Sequence, residues 1–204
     1  MKHFIFDMGG VLKKTIDNEQ IENYDIGLDK NLPEGEEFVF KLETKLMLGN
    51  ITLEEFVLAA RKYFNKKDIT VEEYAETYYK IGKEVNIMFP HVLDYLKQLK
   101  AEGHKVYLLS NLIEISFIEL KTYFDVSVFD KAFLSYEMHM IKPNDDIYQA
   151  VIKEIGDDPS NMIFFDDNPK NVEAAIRNGM QSYVTDGARL IDFINQAKED
   201  NNIK

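Results

Sequence analysis

The sequence predicts an α/β protein: a parallel sheet flanked by helices, with an all-helical insert after the first strand. Three observations carry this reading. Short apolar runs rich in aromatic and β-branched residues recur along the chain, and helical patterns alternate with them. Between the first two runs lies a long stretch with helical signals and no convincing strand. Parallel strands need crossover connections, and alternating helices supply them.

Each element has its own signal. His3 to Phe6 is apolar and aromatic, stops at Asp7 and runs into Met8-Gly9-Gly10, the pattern of a buried strand entering a tight loop. Residues 14–86 form the insert, with a first helix expected from Glu34 to Leu48. Thr52 with Glu55, and Thr70 with Glu73, match the capping box, in which each side chain satisfies an exposed amide at a helix start. The first opens a helix to about Phe64, the second one to about Lys83. Pro90 to Glu102 carries Val92, Leu93, Leu96 and Leu99 at helical spacing and stops at Gly103. Strands are expected at Lys105–Leu109, Lys131–Leu134 and Asn161–Phe165, with a weaker one at Gln181–Thr185. Between them fall helices at 113–123, 144–155 and 171–178, the last two stopping at Gly156 and Gly179. The core is therefore 1–13 with 87–204 and the insert 14–86, with a polar tail after Lys198 expected to fray.

Composition narrows the function. At about 150 residues per domain, 204 residues suit one domain with a substantial insert better than two equal domains. Lys plus Arg number 24 against 36 Asp plus Glu, a net charge of −12 that argues against a nucleic-acid or anionic-membrane surface. A 45% hydrophobic content supports a real core. No cysteine is present, which removes disulfides, thiolate nucleophiles and zinc–thiolate sites. The start lacks the long apolar stretch of a signal peptide, and no window reaches the ~20 apolar residues of a membrane span, so the expected location is cytoplasmic.

Ligands of an open parallel sheet bind beyond the carboxyl ends of its strands. There the chain places Asp7, Gly9 and Gly10, then Ser110 and Asn111, then Lys142 and Pro143, then Asp166, Asp167 and Asn168. Three carboxylates at one edge repel each other unless a cation neutralises them, and hard oxygen donors of this kind suit Mg²⁺. Ser110 offers a hydroxyl, and amides around Gly9, Gly10 and Asn111 can donate to phosphoryl oxygens. Lys142 adds a compact positive charge, and Asp7 can attack phosphorus to form an aspartyl-phosphate.

The strings that carry these residues resemble the four motifs of the haloacid dehalogenase-like (HAD) superfamily. Phe6-Asp7-Met8-Gly9-Gly10-Val11-Leu12 is similar to motif I, and Leu108-Leu109-Ser110-Asn111 to motif II. Ile141-Lys142-Pro143 with Asp146-Ile147-Tyr148 is similar to motif III, and Phe164-Phe165-Asp166-Asp167-Asn168 with Asn171 to motif IV. The four occur in order, and the insert lies where that superfamily carries its helical cap. The chain looks most like the sugar-phosphatase-like branch, which includes α-D-glucose-1-phosphate phosphatases. The resemblance implies a Rossmann-like core and a Mg²⁺-dependent phosphatase acting on a small phosphorylated metabolite. It implies Asp7 as nucleophile and metal ligand, a Gly9 carbonyl on the metal, and Asp166 and Asp167 completing the metal site, one of them directly. It further implies that Ser110 and Asn111 bind phosphate while Lys142 bridges phosphate and Asp7.

One position departs from the pattern. Most phosphatases of this superfamily carry a second Asp two residues after the nucleophile, as general acid and base; here it is Gly9. Three accounts stand open: a good leaving group, a proton from another residue, or slow or absent turnover. Two alternatives to a phosphatase follow, a 2-haloacid dehalogenase-like hydrolase and a catalytically weak phosphometabolite-binding regulatory protein. Other residues read more plainly. Histidines 3, 91, 104 and 139 lack metal-ligand spacing, Tyr74, Tyr78 and Tyr79 read as the core of the insert, and Lys13 and Lys14 stand at its entry.

Overall fold

The computed structural model describes residues 1–14, 35–65, 70–85 and 87–203. The early part of the expected insert, 15–34, lies outside the described residues. Five parallel strands form one sheet: β1 (His3–Phe6), β2 (Lys105–Ser110), β3 (Lys131–Leu134), β4 (Met162–Asp166) and β5 (Gln181–Val184). Their order is β3-β2-β1-β4-β5. The nine α-helices among the described residues are α1 (Gly35–Met47), α2 (Leu53–Phe64), α3 (Val71–Val85), α4 (Val92–Ala101), α5 (Glu114–Leu120), α6 (Ser135–Met138), α7 (Asp145–Ile155), α8 (Pro169–Arg177) and α9 (Leu190–Asp200).

The central strands β1, β2 and β4 are buried on both faces, as their apolar runs require, while the edge strand β5 is only partly covered. Phe4, Phe6, Leu108, Ile163 and Phe165 pack on one face with Leu96 and Leu99 of α4 and Ile194 of α9. Their neighbours in the strands, Ile5, Leu109 and Phe164, point the other way and meet Tyr148 and Val151 of α7 and Ala174 and Ala175 of α8. This is the two-residue alternation of a strand. Phe4, Ile5 and Phe6 are each 0% exposed, and full burial of such a side chain contributes about 1.5–3 kcal/mol.

Helices α1–α3 build a separate apolar cluster around Leu42, Leu46, Phe56, Val57 and Tyr74, which also takes in Ile113 and Ile115 from the start of α5. Both capping boxes are present. Thr52 Oγ1 accepts from the Glu55 amide at 3.1 Å while the Thr52 amide donates to Glu55 Oε2 at 2.8 Å. Thr70 and Glu73 repeat the pair at the start of α3. Tyr78 and Tyr79 pack against this cluster.

Three local expectations need correction. Helix α8 begins at Pro169, not Asn171, because Asn168 caps it and proline occupies its first turn. Helix α5 is shorter than the expected 113–123 and ends at Leu120. The tail after Lys198 is docked: Tyr183 Oη donates to Asp200 Oδ2 at 2.7 Å, Asn201 and Gln181 exchange side-chain hydrogen bonds, and Ile203 packs on the core. Polar tails fray when nothing ties them down, and here β5 does.

The topology decides where the site lies. From central β1 the chain fills one side of the sheet with β2 and β3, then crosses to β4 and β5 on the other. Phe6 is in register with Leu108 and with Phe165, so the residues that follow all three strands emerge at one edge. A crevice at such a switch point is where α/β proteins bind ligands.

Candidate active site

Asp7 follows β1 directly, and its amide donates to the Phe165 carbonyl at 2.9 Å, which holds it level with Asp166. Asp7, Asp166 and Asp167 each offer a carboxylate oxygen, and these oxygens lie within 4.8 Å of one another. Asp7 and Asp166 are buried, at 8% and 0% exposure, whereas Asp167 is exposed. Lys142 is threaded between the two buried ones. Its Nζ lies 2.9 Å from Asp7 Oδ1 and 2.6 Å from Asp166 Oδ2, and donates to the Leu109 carbonyl at 3.1 Å.

The electrostatics follow from burial. Desolvation pushes the Asp7 carboxyl above its ordinary range, and Asp166 adds to the push against the pull of Lys142. Desolvation and Asp166 likewise raise Asp167. For Lys142 burial works against the charge, but Asp7 and Asp166 overcome it and hold the ammonium form above its usual value. Three carboxylates thus share one ammonium, a donor set of hard oxygens that a divalent cation would neutralise. The residues present fit Mg²⁺.

Asp166 and Asn111 have roles that their sequence neighbourhoods do not display. Asp166 Oδ1 accepts from the Asn168 amide and from Asn171 Nδ2, both at 2.9 Å, and Oδ2 accepts from Asn171 Nδ2 at 3.0 Å as well as from Lys142. A carboxylate has about four acceptor positions, and this one uses them within the protein. The Asn111 side chain is also committed: Nδ2 donates to the Lys142 carbonyl, and Oδ1 accepts from the Lys142 amide, each at 2.9 Å. It clamps the lysine backbone. Asn171 Oδ1 is buried without a hydrogen-bond partner among the described residues, an acceptor beside the acidic cluster that a water can satisfy.

The glycines shape the loop. Gly10 has φ +71°, and a Cβ placed there would sit 2.2 Å from Asp167 Oδ2. Asp167 reaches its position only because Gly10 has no side chain. Gly9 differs, since a Cβ there would meet nothing within 4 Å. Ser110, 3% exposed, is the last residue of β2; the N-cap position of α5 is Ile113, so Ser110 caps no helix. The four histidines stay outside the acidic cluster: His3 bonds Asp157, His104 accepts from the Lys2 amide, and His139 donates to the Leu48 carbonyl. His91 stands at the start of α4. Lys14 is bound through its amide to the Ile87 carbonyl. A cavity of about 490 Å³ opens between α1–α3 and α5, but Asp7, Lys142 and Asp166 do not line it; the chemistry lies at the sheet edge.

A buried, lysine-paired aspartate after β1, a polar turn after β2 and an acidic pair after β4 define a class of hydrolase built on this sheet. Residues 1–179 match the haloacid dehalogenase-like hydrolase family, and the chain belongs to it. Among curated proteins it is 27% identical over 203 residues to a D-ribitol-5-phosphate phosphatase of Bacteroides thetaiotaomicron, covering 90% of this chain and 91% of that protein. It is 35% identical to the sesquiterpene phosphatase astK of Aspergillus oryzae over 86 residues, where the match spans only 44% of that protein. Among solved structures, a HAD family enzyme, bt-2542 of Bacteroides thetaiotaomicron, in complex with magnesium and inorganic phosphate superposes with a TM-score of 0.78 at 28% identity, over 92% of this chain and 95% of that one. A HAD-like hydrolase from Porphyromonas gingivalis gives 0.79 at 27% identity, over 97% of both chains. Among the described residues, no helix is long and apolar enough to cross a membrane.

Proposed function

We propose that this protein is a Mg²⁺-dependent phosphatase that hydrolyses a small phosphorylated metabolite, a sugar or polyol phosphate, through an aspartyl-phosphate on Asp7. The observation that carries the reading is the shared ion pairing of Lys142 with Asp7 and Asp166, beside an acidic cluster fit for a cation. The full-length similarity to a D-ribitol-5-phosphate phosphatase supports the substrate class.

Asp7 is the nucleophile: Lys142 opposes the burial that raises its carboxyl and aims the group through their 2.9 Å ion pair. Asp7, Asp167 and the Gly9 carbonyl would hold the metal. Asp166, with its acceptor positions filled, orients Lys142 and Asn171 and contributes negative charge to the ion. When bound, Mg²⁺ supplies charge neutralisation for the carboxylates and the phosphoryl oxygens. Ser110 and the amides of Gly9, Gly10 and Asn111 bind phosphate, with the Asn111 side chain fixing Lys142. Helices α1–α3 form the described part of the cap, whose expected bounds are 14–86, over a core with expected bounds 1–13 and 87–204. The net charge of −12 opposes an anionic substrate, so phosphate capture rests on the local cation and Lys142.

The acidic pair disfavours a 2-haloacid dehalogenase, since halide displacement from carbon needs no metal. The test is release of inorganic phosphate from a panel of sugar and polyol phosphates with and without Mg²⁺, comparing wild type with Asp7→Asn. Equal release by both proteins overturns the mechanism. Saturable binding without release by wild type replaces it with a regulatory role, and chloride release from chloroacetate in the presence of chelator with dehalogenation.

A further inference from the structure

The turn after β2 is fastened at two points to the segment that leads to Lys142. One is the Asn111 side chain on the Lys142 backbone. The other is Ser135, which lies outside all four sequence motifs. Its hydroxyl accepts from the Leu112 amide at 3.1 Å and donates to the Leu112 carbonyl at 3.2 Å. A serine hydroxyl has one proton to donate and lone pairs to accept, and here both functions serve a single residue 23 positions away. Ser135 is 0% exposed, so bulk water cannot replace it, and buried peptide groups left unpaired are costly.

The place of this contact in the fold explains why a side chain makes it. Ser110 and Leu134 are the last pair in the β2–β3 register. Beyond them the two chains leave for α5 and α6, and the Ser135 hydroxyl takes up the Leu112 peptide groups past the end of the ladder. The four-residue helix that presents Ser135 is itself braced. His139, just past its end, donates from Nδ1 to the Leu48 carbonyl at 2.8 Å. Gly49 packs so close that a Cβ there would stand 2.2 Å from the Tyr136 carbonyl. The α1–α2 turn thus holds α6 on one side, while Ser135 grips the turn after β2 on the other.

We propose that Ser135 is a positioning residue for phosphate capture: by fixing the Leu112 peptide it holds the Ser110–Asn111 backbone in the orientation that receives the phosphoryl group. The inference rests on the phosphatase reading and adds a residue to it. The Asn111 side chain is committed to Lys142, so that residue meets phosphate through its backbone, whose direction depends on the neighbouring Leu112 peptide. Lys142 has separate anchors in Asp7, Asp166 and the Leu109 carbonyl. The acidic cluster stands at the ends of β1 and β4, away from β2 and β3. Loss of the Ser135 hydroxyl therefore loosens the phosphate turn and leaves the carboxylates where they are.

The experiment compares wild type, Ser135→Ala and Ser135→Cys. Calorimetry measures Mg²⁺ binding alone and inorganic phosphate binding in the presence of Mg²⁺, thermal unfolding gives Tm, and kinetics use ribitol 5-phosphate and p-nitrophenyl phosphate. Ser135→Ala is expected to bind phosphate about tenfold more weakly, within the range that a small misplacement of a binding group can cost. KM should rise by a similar factor on both esters with kcat less affected, and Mg²⁺ affinity should stay as in wild type. The thiol of Ser135→Cys keeps the shape and a weak donor, and is expected to recover part of the loss. A serine that only fastens the fold would lower Tm and leave phosphate affinity below Tm unchanged. That result, or an equal fall in Mg²⁺ and phosphate affinity, overturns the assignment. Wild type that neither binds phosphate nor hydrolyses either ester overturns the phosphatase reading, and this role with it. If Ser135→Ala does not fold, Ser135→Cys decides: a fall in phosphate affinity alone supports the role, and wild-type affinity overturns it.

Discussion

Replacing Gly10 with alanine adds one methyl group where the backbone and a carboxylate both resist it. The first resistance is conformational: φ is +71°, and a residue with a Cβ pays about 1–2 kcal/mol for that left-handed geometry. At about 2–4 °C per kcal/mol for a chain of this size, Tm should fall by about 2–8 °C. The second is steric, since the new carbon would stand 2.2 Å from Asp167 Oδ2 and 2.5 Å from its Cγ. The carboxylate ends a flexible side chain, so it swings away at little cost in stability, but it leaves the acidic cluster. Displacing such a group should weaken Mg²⁺ binding about 10- to 100-fold, the range seen when groups that support a metal site are altered. Gly156 supplies the control: its φ is +73°, and a Cβ there meets nothing within 4 Å. Gly156→Ala should show the same fall in Tm with unchanged Mg²⁺ affinity. Thermal unfolding and isothermal calorimetry of the two variants separate the terms. Gly10→Ala binding Mg²⁺ as tightly as wild type would refute the assignment of Asp167 as a metal ligand.

Three further outcomes are expected. Gly9→Asp should fold normally, because a Cβ at that position is uncrowded, and should raise kcat on alkyl phosphates toward the roughly 10²-fold contributed by general acid catalysis; steady-state kinetics read this directly. Lys142→Met, which leaves two carboxylates buried without their ammonium, should cost about 3–5 kcal/mol in urea unfolding, with part of the loss recovered when Mg²⁺ is added. Asp130 contributes a pH-dependent term. Burial raises its pKa, but the Val106 amide, Lys105 and Lys100 outweigh this and hold it below the ordinary 3.8. Its folded value is depressed, so its stabilisation is complete above 3.8 and is lost as pH falls through the lower folded value. Asp130→Asn should flatten that acid limb in a series of unfolding curves.

Much of the molecule is legible in its local sequence. His3–Phe6 and Lys131–Leu134 are strands over the expected residues, since three apolar residues in a row, Phe4–Phe6 and Ala132–Leu134, closed by a polar one suit a strand that enters a buried sheet. Thr52 with Glu55 and Thr70 with Glu73 announce their helices because a capping box is complete within four residues. The acidic positions follow from the same logic, as residues placed just after parallel strands emerge at one edge.

The tertiary structure alone decides what those residues do there. Asn111 reads from the sequence as a phosphate-binding residue, and its side chain also holds the backbone of Lys142, 31 residues away. Asp166 and Asp167 are adjacent and chemically identical. Only the packing of Asn168, Asn171 and Lys142 saturates the first, while the bare backbone of Gly10 makes room for the second. Strand and cap signals depend on torsions and contacts among near neighbours, so the sequence by itself determines the fold and the acidic edge. Hydrogen-bond partners and charge environments depend on which distant groups packing brings within about 3 Å, and that is settled only when the chain is folded.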